Sequence, residues 1–524
     1  MDVHSLSFDN CRNIYPIRCT RPINGYKFDD HFALKSVLSN ITAANCTITD
    51  AIFDNPKRSL ARCALSHSAL FACEYCENSA SSYIDPKIKR NCDLRVNRLI
   101  AQKDNITRKI QCLDDTEDET TNLLHEILND INMKCTEEKK KVKKQHLVWP
   151  SITRNGPLRT MQSIRDISSD IANYDEDGSE ELTKEEMKGI TGTSPFLSVI
   201  PNFDIIQHMP AEYMHSTCLG VIKRLIELTF NIGQNRQRVT ARKLSNPKLF
   251  NESIAAIKVP REFSRRCRNL NFGVMKAQEM RNILLFFFPL VMDTIPETYK
   301  KERQLWLLLV FAIRACVLPN DEFDSVNSGH VTTAAKLFYI YFEDLFGQNN
   351  CSYSIHVVCS HLLLIRGNYP LTFKSAFKYE SFYSEMKRMF KSGTTSPLKQ
   401  IMSNICMKRI LEYHACQKSL YFSVDSKKSN AKECNSLVYV YENNAHTMYK
   451  IIDREDDTFI CVKQGRFTFN TDLISSLNFS SVGIYKVGPI STTQHYITRN
   501  MICGKVIKIN DFLITCPANV LREI

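Results

Sequence analysis

The chain has 524 residues, of which 43% are hydrophobic, and its 68 lysine and arginine against 56 acidic residues give a net charge of +12. This ordinary globular composition predicts roughly two to four domains. Its most apolar runs, Ile283 to Met292 and Leu305 to Ile313, are too short to span a bilayer, so we expect no membrane partner. The twenty scattered cysteines and the lack of an N-terminal apolar segment predict reduced thiols in the nucleus or cytosol.

Residues 1–77 are predicted to begin with alternating strand and helix. Strands are expected at Tyr15 to Thr20 and at Ile48 to Phe53, with a helix between them over Asp30 to Ala44. This order is typical of an α/β unit, although two strands are too few for a stable sheet. Asp54 follows the second strand, where a rigidly held carboxylate can bind a hard cation such as Mg²⁺.

A basic segment and a pair of cysteines follow Asp54. Lys57, Arg58 and Arg62 indicate the start of a basic helix. Cys73 and Cys76 are separated by two residues, a spacing that brings two thiolates within reach of one Zn²⁺. Because zinc takes four ligands, two more are expected elsewhere in the chain.

The middle of the chain divides by composition into three segments. Residues 78–194 alternate charged helical patterns with polar stretches, which predicts a charged, partly disordered insertion. Five lysines within Lys139 to Lys144 indicate either a nuclear import signal or a solvated helix end. Residues 195–370 read as a helical insertion with a basic surface, and residues 371–429 as a return to a core helix.

The positive charge is concentrated between Gly220 and Leu285, where fourteen lysines and arginines face four glutamates. Such clustering is typical of a surface that contacts phosphates, and a solvated helical face is the alternative. The candidates for contacts with the DNA backbone are Arg236, Arg238, Arg242, Lys243, Arg261, Arg265, Arg266 and Arg268.

Two histidines offer the missing zinc ligands. His356 and His361 lie five residues apart on a predicted helix, a spacing that turns the second ring away from the first. Both can therefore bind one ion only if the helix is locally interrupted, and otherwise they are packing residues. Together with Cys73 and Cys76 they complete a Cys2His2 set.

Glu380 lies nineteen residues after His361, on a predicted helix rich in aromatic and basic residues. Its carboxylate is either a cation ligand near a nucleic-acid backbone or a surface group paired with Lys378 or Lys387. Beyond it, residues 430–524 contain short β-rich runs separated by turn signals, which predict a small β-rich domain of sandwich or barrel type.

The order and spacing of these residues resemble the catalytic region of CACTA-like (CMC group) DDE transposases, and more distantly the catalytic core of the V(D)J recombinase. Three segments carry the resemblance over about residues 15–415, namely DNPKRSLARCALSHSALFACEYC, PAEYMHSTCLGVIKRLIEL and SFYSEMKRMFKSGTTSPLKQI. It implies an α+β chain in which an incomplete ribonuclease H-like α/β core holds a large, mostly α-helical insertion, followed by the small β-rich domain.

The resemblance also implies roles for individual residues. In that family three carboxylates hold two Mg²⁺ or Mn²⁺ ions for attack on a DNA phosphodiester. Asp54 and Glu380 would be the second and third acids. Cys73, Cys76, His356 and His361 would bind a structural zinc. Glu212, where relatives commonly have Asp before Tyr-Met-His, receives no catalytic role.

The first acid has no counterpart, because Asp2 and Asp9 are the only acids ahead of Tyr15 and neither lies in an apolar strand. We therefore expect an N-terminally truncated, domesticated or decayed transposase that binds DNA without cleaving it. One alternative is an active two-metal transposase or nuclease with an incomplete N-terminus, and another is a protein-interaction scaffold. DNA as a partner predicts a nuclear protein, with the cytoplasm as the alternative location. The sequence is also compatible with a homodimer.

Overall fold

The computed structural model describes residues 38–39, 51–53, 55–65, 68–83, 86–112, 119–142, 146–151, 156–177, 182–200, 202–232, 245–257, 259, 263, 268, 270, 275–389, 400, 403–404, 436–455, 458–469, 471, 474–518 and 520. In this part of the chain helix and strand are both abundant, which confirms the predicted mixed α+β class. The strands belong to a two-stranded antiparallel sheet and a closed barrel.

Helices dominate as far as Met389. The α-helices are α1 (Asn55–Arg62), α2 (Pro86–Cys112), α3 (Glu119–Val142), α4 (Met161–Asp177), α5 (Lys184–Met187), α6 (Pro195–Val199), α7 (Ile205–His208), α8 (Lys223–Phe230), α9 (Pro247–Ala256), α10 (Ala277–Leu285), α11 (Phe288–Thr294), α12 (Lys300–Val317), α13 (Asn320–Phe323), α14 (Ser328–Phe346), α15 (Tyr353–Arg366) and α16 (Phe377–Met389). A π-helix, Tyr213–Ile222, precedes α8. The short strands β1 (Ser81–Tyr83) and β2 (His146–Val148) pair with each other, and α2 and α3 lie between them in the chain.

The centre of the helical part is built around α12. Its sequence from Leu305 to Val317 is apolar on every side except at Arg314, and all of these side chains are buried. A helix without a polar face can be stable in water only when other elements surround it. Helices α14 and α15 pack beside it, as do α10 and α11, so α12 is the core helix of this region.

The predicted α/β opening falls largely outside the described residues. This applies to the strand at Tyr15 to Thr20 and to most of the strand at Ile48 to Phe53, and residues 51–53 are not in a strand. Within the predicted helix, Leu38 and Ser39 are helical. The Ala51 N–H donates to the His208 carbonyl (2.7 Å), which joins this segment to the end of α7.

The C-terminal strands form a closed six-stranded barrel. They are β3 (Leu437–Glu442), β4 (Ala445–Glu455), β5 (Thr458–Thr468), β6 (Ile484–Thr498), β7 (Gly504–Ile509) and β8 (Phe512–Pro517), in the order β3-β4-β5-β6-β8-β7. All neighbours are antiparallel, and pairing of Val438 with Lys505 closes the ring. Closure removes the exposed sheet edges that would favour aggregation.

Buried polar groups join the barrel to the helical part. Arg314 on α12 donates to the carbonyls of Val482 (2.9 Å) and Thr515 (2.9 Å). Glu322 on α13 is buried, and its carboxylate accepts from the Tyr439 hydroxyl (3.0 Å) and bonds His446 Nε2 (2.8 Å). These directional contacts fix the orientation of the barrel on the helices. Within the described ranges, no helix is both long and apolar enough to cross a membrane.

Candidate metal centre

The cysteine pair lies in a loop that is held by a neighbouring extended segment. The Glu77 N–H donates to the Pro157 carbonyl (3.0 Å), and the Arg159 N–H donates to the Tyr75 carbonyl (2.9 Å). The Arg159 guanidinium reaches back, with Nε donating to the carbonyls of Cys73 (2.9 Å) and Cys76 (3.1 Å). One buried arginine therefore holds the turn that presents both thiols.

The histidine pair lies on α15, and the helix is interrupted at the second histidine. His361 has φ −125° and ψ 18°, outside the helical range, and it divides α15 into two helical parts. In a regular helix, five residues rotate the side chain by about 140° beyond a full turn, so the two rings would diverge. The kink provides the local interruption that the spacing requires, and it allows both rings to face the same point.

The four side chains converge. Cys73 Sγ lies 3.5 Å from His361 Nε2, Cys76 Sγ lies 3.4 Å from His356 Nε2, and all four ligand atoms are within 4.8 Å of one another. Tetrahedral zinc with its usual bond lengths would separate sulfur from nitrogen by about 3.6 Å. The observed distances fit this value, so the donor set and its spacing suit a Zn²⁺ ion.

The centre is enclosed by protein, as expected of a structural metal site. All four side chains are buried. The Trp149 ring stacks on His356 with 4.5 Å between centroids, and Tyr75 lies 5.2 Å from His361. Because four protein ligands leave no position for substrate or water, the centre is suited to hold segments together rather than to perform catalysis.

The thiol chemistry separates Cys76 from other buried cysteines. A hydrogen bond with the Cys73 side chain lowers the pKa of Cys76 in spite of its burial, which favours the thiolate that binds metals. In contrast, burial raises the pKa of Cys359, on the same helix as the two histidines, well above its usual value. Cys359 is therefore a protonated core residue.

The basic helix start predicted after Asp54 is part of a buried ion-pair network. Arg58 Nε donates to Glu74 Oε1 at 2.6 Å, and the two side chains are 0% and 4% exposed. Arg62 donates to the carbonyls of Glu74 (3.1 Å) and Met209 (3.2 Å). Glu74 lies between Cys73 and Cys76. Arg58 and Arg62 therefore support the cysteine loop from the side of α1 and do not form a solvated basic face.

The two predicted catalytic acids have different outcomes. Asp54 lies outside the described residues. Glu380 lies in the first turn of α16, its side chain is 61% exposed, and its Oε1 is 3.9 Å from His215 Nε2. Lys378 Nζ lies over the Phe373 ring, 4.7 Å from its centroid. The metal role of Glu380 stays a prediction.

Most of the predicted DNA contacts also lie outside the described residues, namely Arg236, Arg238, Arg242, Lys243, Arg261, Arg265 and Arg266. Arg268 is described, and its guanidinium donates to both carboxylate oxygens of Glu279 (3.0 and 2.8 Å). Glu279 is buried and the Arg268 side chain is 45% exposed. Arg268 is thus engaged in a structural ion pair, and its contact with DNA stays a prediction.

The sequence patterns did not single out Trp149 or Arg159, and they gave Glu212 no catalytic role. Trp149 carried a signal, since it is one of only two tryptophans. The aromatic stacking of Trp149 and the contacts of Arg159 depend on the tertiary structure, because Arg159 is 83 residues from Cys76. Comparisons of the chain with protein-family models, with curated proteins and with solved structures found no match.

Proposed function

We propose that this chain is a transposase-derived DNA-binding protein, with a zinc clip that ties a helical insertion to a ribonuclease H-like core. The observation that carries the proposal is the convergence of Cys73 and Cys76 with His356 and His361. A buried four-ligand cluster assembled from such distant pairs rarely arises from packing alone, because burial of unpaired polar groups is costly.

The order of the site residues along the chain supports the transposase origin. In the resemblance, the cysteine pair follows the second acid and the histidine pair precedes the third. Here the cysteines follow Asp54 by nineteen and twenty-two residues, and Glu380 follows His361 by nineteen. The carboxylate of Glu380 also lies at the surface, where a cation bound to it would be accessible to a DNA phosphate.

DNA binding is supported by charge. The chain carries a net charge of +12, concentrated between Gly220 and Leu285. Arg281 in this region is fully buried, and Arg224 lies 3.4 Å from Glu227, so part of the excess is structural. The remaining arginines and lysines are proposed to contact phosphates without reading sequence, and DNA as a partner implies a nuclear location.

Strand cleavage is not proposed for this chain. Its sequence supplies Asp54 and Glu380, two of the three carboxylates that the resemblance implies for a two-metal site. Two acids bind a pair of divalent ions weakly, and in-line attack on a phosphodiester depends on both ions. We expect no Mg²⁺- or Mn²⁺-dependent nicking of duplex DNA by the purified chain, and nicking that Asp54→Ala with Glu380→Ala abolishes would instead identify a working nuclease.

The DNA-binding test measures affinity for a duplex of arbitrary sequence as a function of salt. Neutralising phosphates releases counterions, so the logarithm of affinity should fall linearly with the logarithm of salt. Charge reversal of Arg261, Arg265 and Arg266 to Glu should lower the affinity and reduce the steepness of this slope by an amount equivalent to about two to three phosphate contacts. Arg268 is left unchanged because its ion pair with buried Glu279 is structural.

The matched control reverses the same number of charges elsewhere. Arg95, Arg98 and Arg108 on α2 are exposed and lie outside the proposed surface. Their reversal to Glu changes the net charge by the same amount. Because these arginines do not contact DNA in the proposal, most of the salt dependence should remain. An equal loss in both triple variants would contradict a localised surface, and no DNA binding by the native chain would contradict the proposal.

A further inference from the structure

The segment before the π-helix places a buried carboxylate at its start. Glu212 is fully buried, and its two oxygens accept the N–H groups of Met214 (2.6 Å) and His215 (2.7 Å). These are the first N–H groups of the π-helix, which have no partner within the helix itself. π-Helices are rare and occur frequently at functional sites.

The same carboxylate holds the start of a second helix. Glu212 Oε1 also accepts the N–H of Ala376 at 2.5 Å, the residue immediately before α16. In the first turn of α16, the Glu380 N–H donates to the Ala376 carbonyl (2.9 Å). One side chain therefore fixes two helix starts that are 164 residues apart, and it brings His215 and Glu380 to the same place.

The contact between Glu212 and His215 defines the tautomer of the imidazole. His215 Nδ1 lies 2.7 Å from Glu212 Oε2. An ionised carboxylate can only accept, so Nδ1 carries the proton of this hydrogen bond. In the neutral ring, Nε2 then presents a lone pair, and Nε2 is the atom that faces Glu380 Oε1 at 3.9 Å.

This geometry matches a common arrangement at metal sites. A histidine ligand usually donates its other ring N–H to a carboxylate, which fixes the ring and makes it a better ligand. Ligand atoms about 2.0–2.2 Å from one ion lie no more than about 4.3 Å apart, a limit that the 3.9 Å separation satisfies. The side chains of His215 and Glu380 are 32% and 61% exposed, so solvent can reach an ion between them.

We propose that His215 Nε2 and Glu380 form a second, solvent-open site for a first-row divalent cation, with Glu212 as the positioning residue. The mixed nitrogen and oxygen donors favour Mn²⁺ or Zn²⁺ over Mg²⁺. Open coordination positions would take water or a phosphate oxygen, and only this last statement rests on the proposed function. The resemblance implies an acid at Glu380, whereas the imidazole ligand and the role of Glu212 follow from the geometry.

The test is a titration with Mn²⁺ followed by electron paramagnetic resonance, which detects the free ion. The full chain is first loaded with one equivalent of zinc, which the four-ligand Cys2His2 centre binds in preference, and unbound zinc is removed so that the second site stays open to Mn²⁺. We expect one Mn²⁺ site per chain, bound more tightly than Mg²⁺ in competition. His215→Ala and Glu380→Gln should each weaken Mn²⁺ binding at least about tenfold.

Two control variants match these changes. His330→Ala removes a half-buried histidine from α14, and Glu252→Gln neutralises an exposed carboxylate on α9. Both should leave Mn²⁺ affinity unchanged. Zinc content and the circular dichroism spectrum report whether each variant remains folded.

The positioning role of Glu212 has its own variant. In Glu212→Gln the carbonyl oxygen can still accept the N–H groups of Met214 and Ala376, but the amide nitrogen that replaces Oε2 can donate to His215 Nδ1 and shift the ring proton to Nε2. We expect a tenfold or greater loss of Mn²⁺ affinity with the zinc content retained. The ¹⁵N chemical shifts of the imidazole should show the change of tautomer, a readout that a purely structural role would not alter.

Several outcomes would overturn the inference: no Mn²⁺ binding by the native chain, unchanged binding in His215→Ala and Glu380→Gln, or loss in only one of these two. DNA affinity is measured on the same preparations. DNA binding without a Mn²⁺ site rejects this inference and leaves the proposed function standing. A Mn²⁺ site without DNA binding supports this inference and rejects the proposed function.

Discussion

Cys76 Sγ and His356 Nε2 lie 3.4 Å apart although 280 residues separate them in the chain. Their convergence makes the cysteine loop and α15 a single unit. A metal bound there contributes its binding free energy to folding, because the unfolded chain has no preformed site.

The first prediction concerns zinc content. Cys73→Ser and His361→Ala should each lower the metal content from about one zinc per chain to near zero and lower Tm, since three ligands bind structural zinc far more weakly than four. Elemental analysis and thermal unfolding give the two readouts. Cys359→Ala, a buried cysteine on the same helix, is the control and should keep its zinc. Full zinc content in both ligand variants would reject the site.

The second prediction concerns the Arg58–Glu74 ion pair beside the cysteine loop. Glu74→Ala leaves Arg58 buried without its carboxylate, and breaking such a pair costs about 3–5 kcal/mol of unfolding free energy. Glu77→Ala removes the partner of Lys188 in a pair that is 18% and 36% exposed, so its cost should be about 1 kcal/mol or less. Denaturant unfolding measures both. Equal losses would show that burial of the Arg58 pair has no special effect.

The third prediction concerns the close contact between the π-helix and α15. A Cβ at Gly220 would lie 2.7 Å from the Cβ of Ser354. Gly220→Ala should therefore push α15, the helix that carries His356, away from the π-helix. We expect the unfolding free energy to fall by about 1–3 kcal/mol, and we expect zinc to be lost more readily to a chelator. Adding Ser354→Gly should restore both properties. A double variant as unstable as Gly220→Ala would place the cause elsewhere.

The fourth prediction concerns pH. Burial opposes ionisation of Glu279, but the hydrogen bond with Arg268 and those from the Lys276 and Arg268 N–H groups outweigh it and lower the pKa of Glu279. A carboxylate with a depressed pKa in the folded state contributes stability above its unfolded pKa of about 4.3. That contribution is lost as the pH falls through the lower, folded pKa.

Glu279→Gln should therefore reduce stability at pH 7 and should flatten the decline in unfolding free energy between about pH 5 and pH 3. Glu252→Gln, an exposed carboxylate paired with Lys248 at 3.9 Å, should leave that decline unchanged. Denaturant unfolding at a series of pH values distinguishes the two variants. Parallel curves for the native chain and Glu279→Gln would contradict the assignment.

Local patterns account for the parts of this protein that sequence reasoning could reach. The spacing of Cys73 and Cys76 indicated a metal pair because two thiols two residues apart reach one ion in almost any turn. The β-rich runs after Asn430 correspond to strands because alternation and turn residues act within ten residues. The charge excess between Gly220 and Leu285 was visible, but its distribution between buried pairs and surface was not.

The amino-acid sequence by itself determined the mixed α+β class, the candidate ligands Cys73, Cys76, His356 and His361, and the need for a break between the two histidines. Only the tertiary structure decided that the four ligands meet, that the break is the kink at His361, and that Arg58 is buried against Glu74. The reason is physical. Helical period and turn chemistry act over a few residues, whereas burial and ion pairing depend on which distant segments pack together.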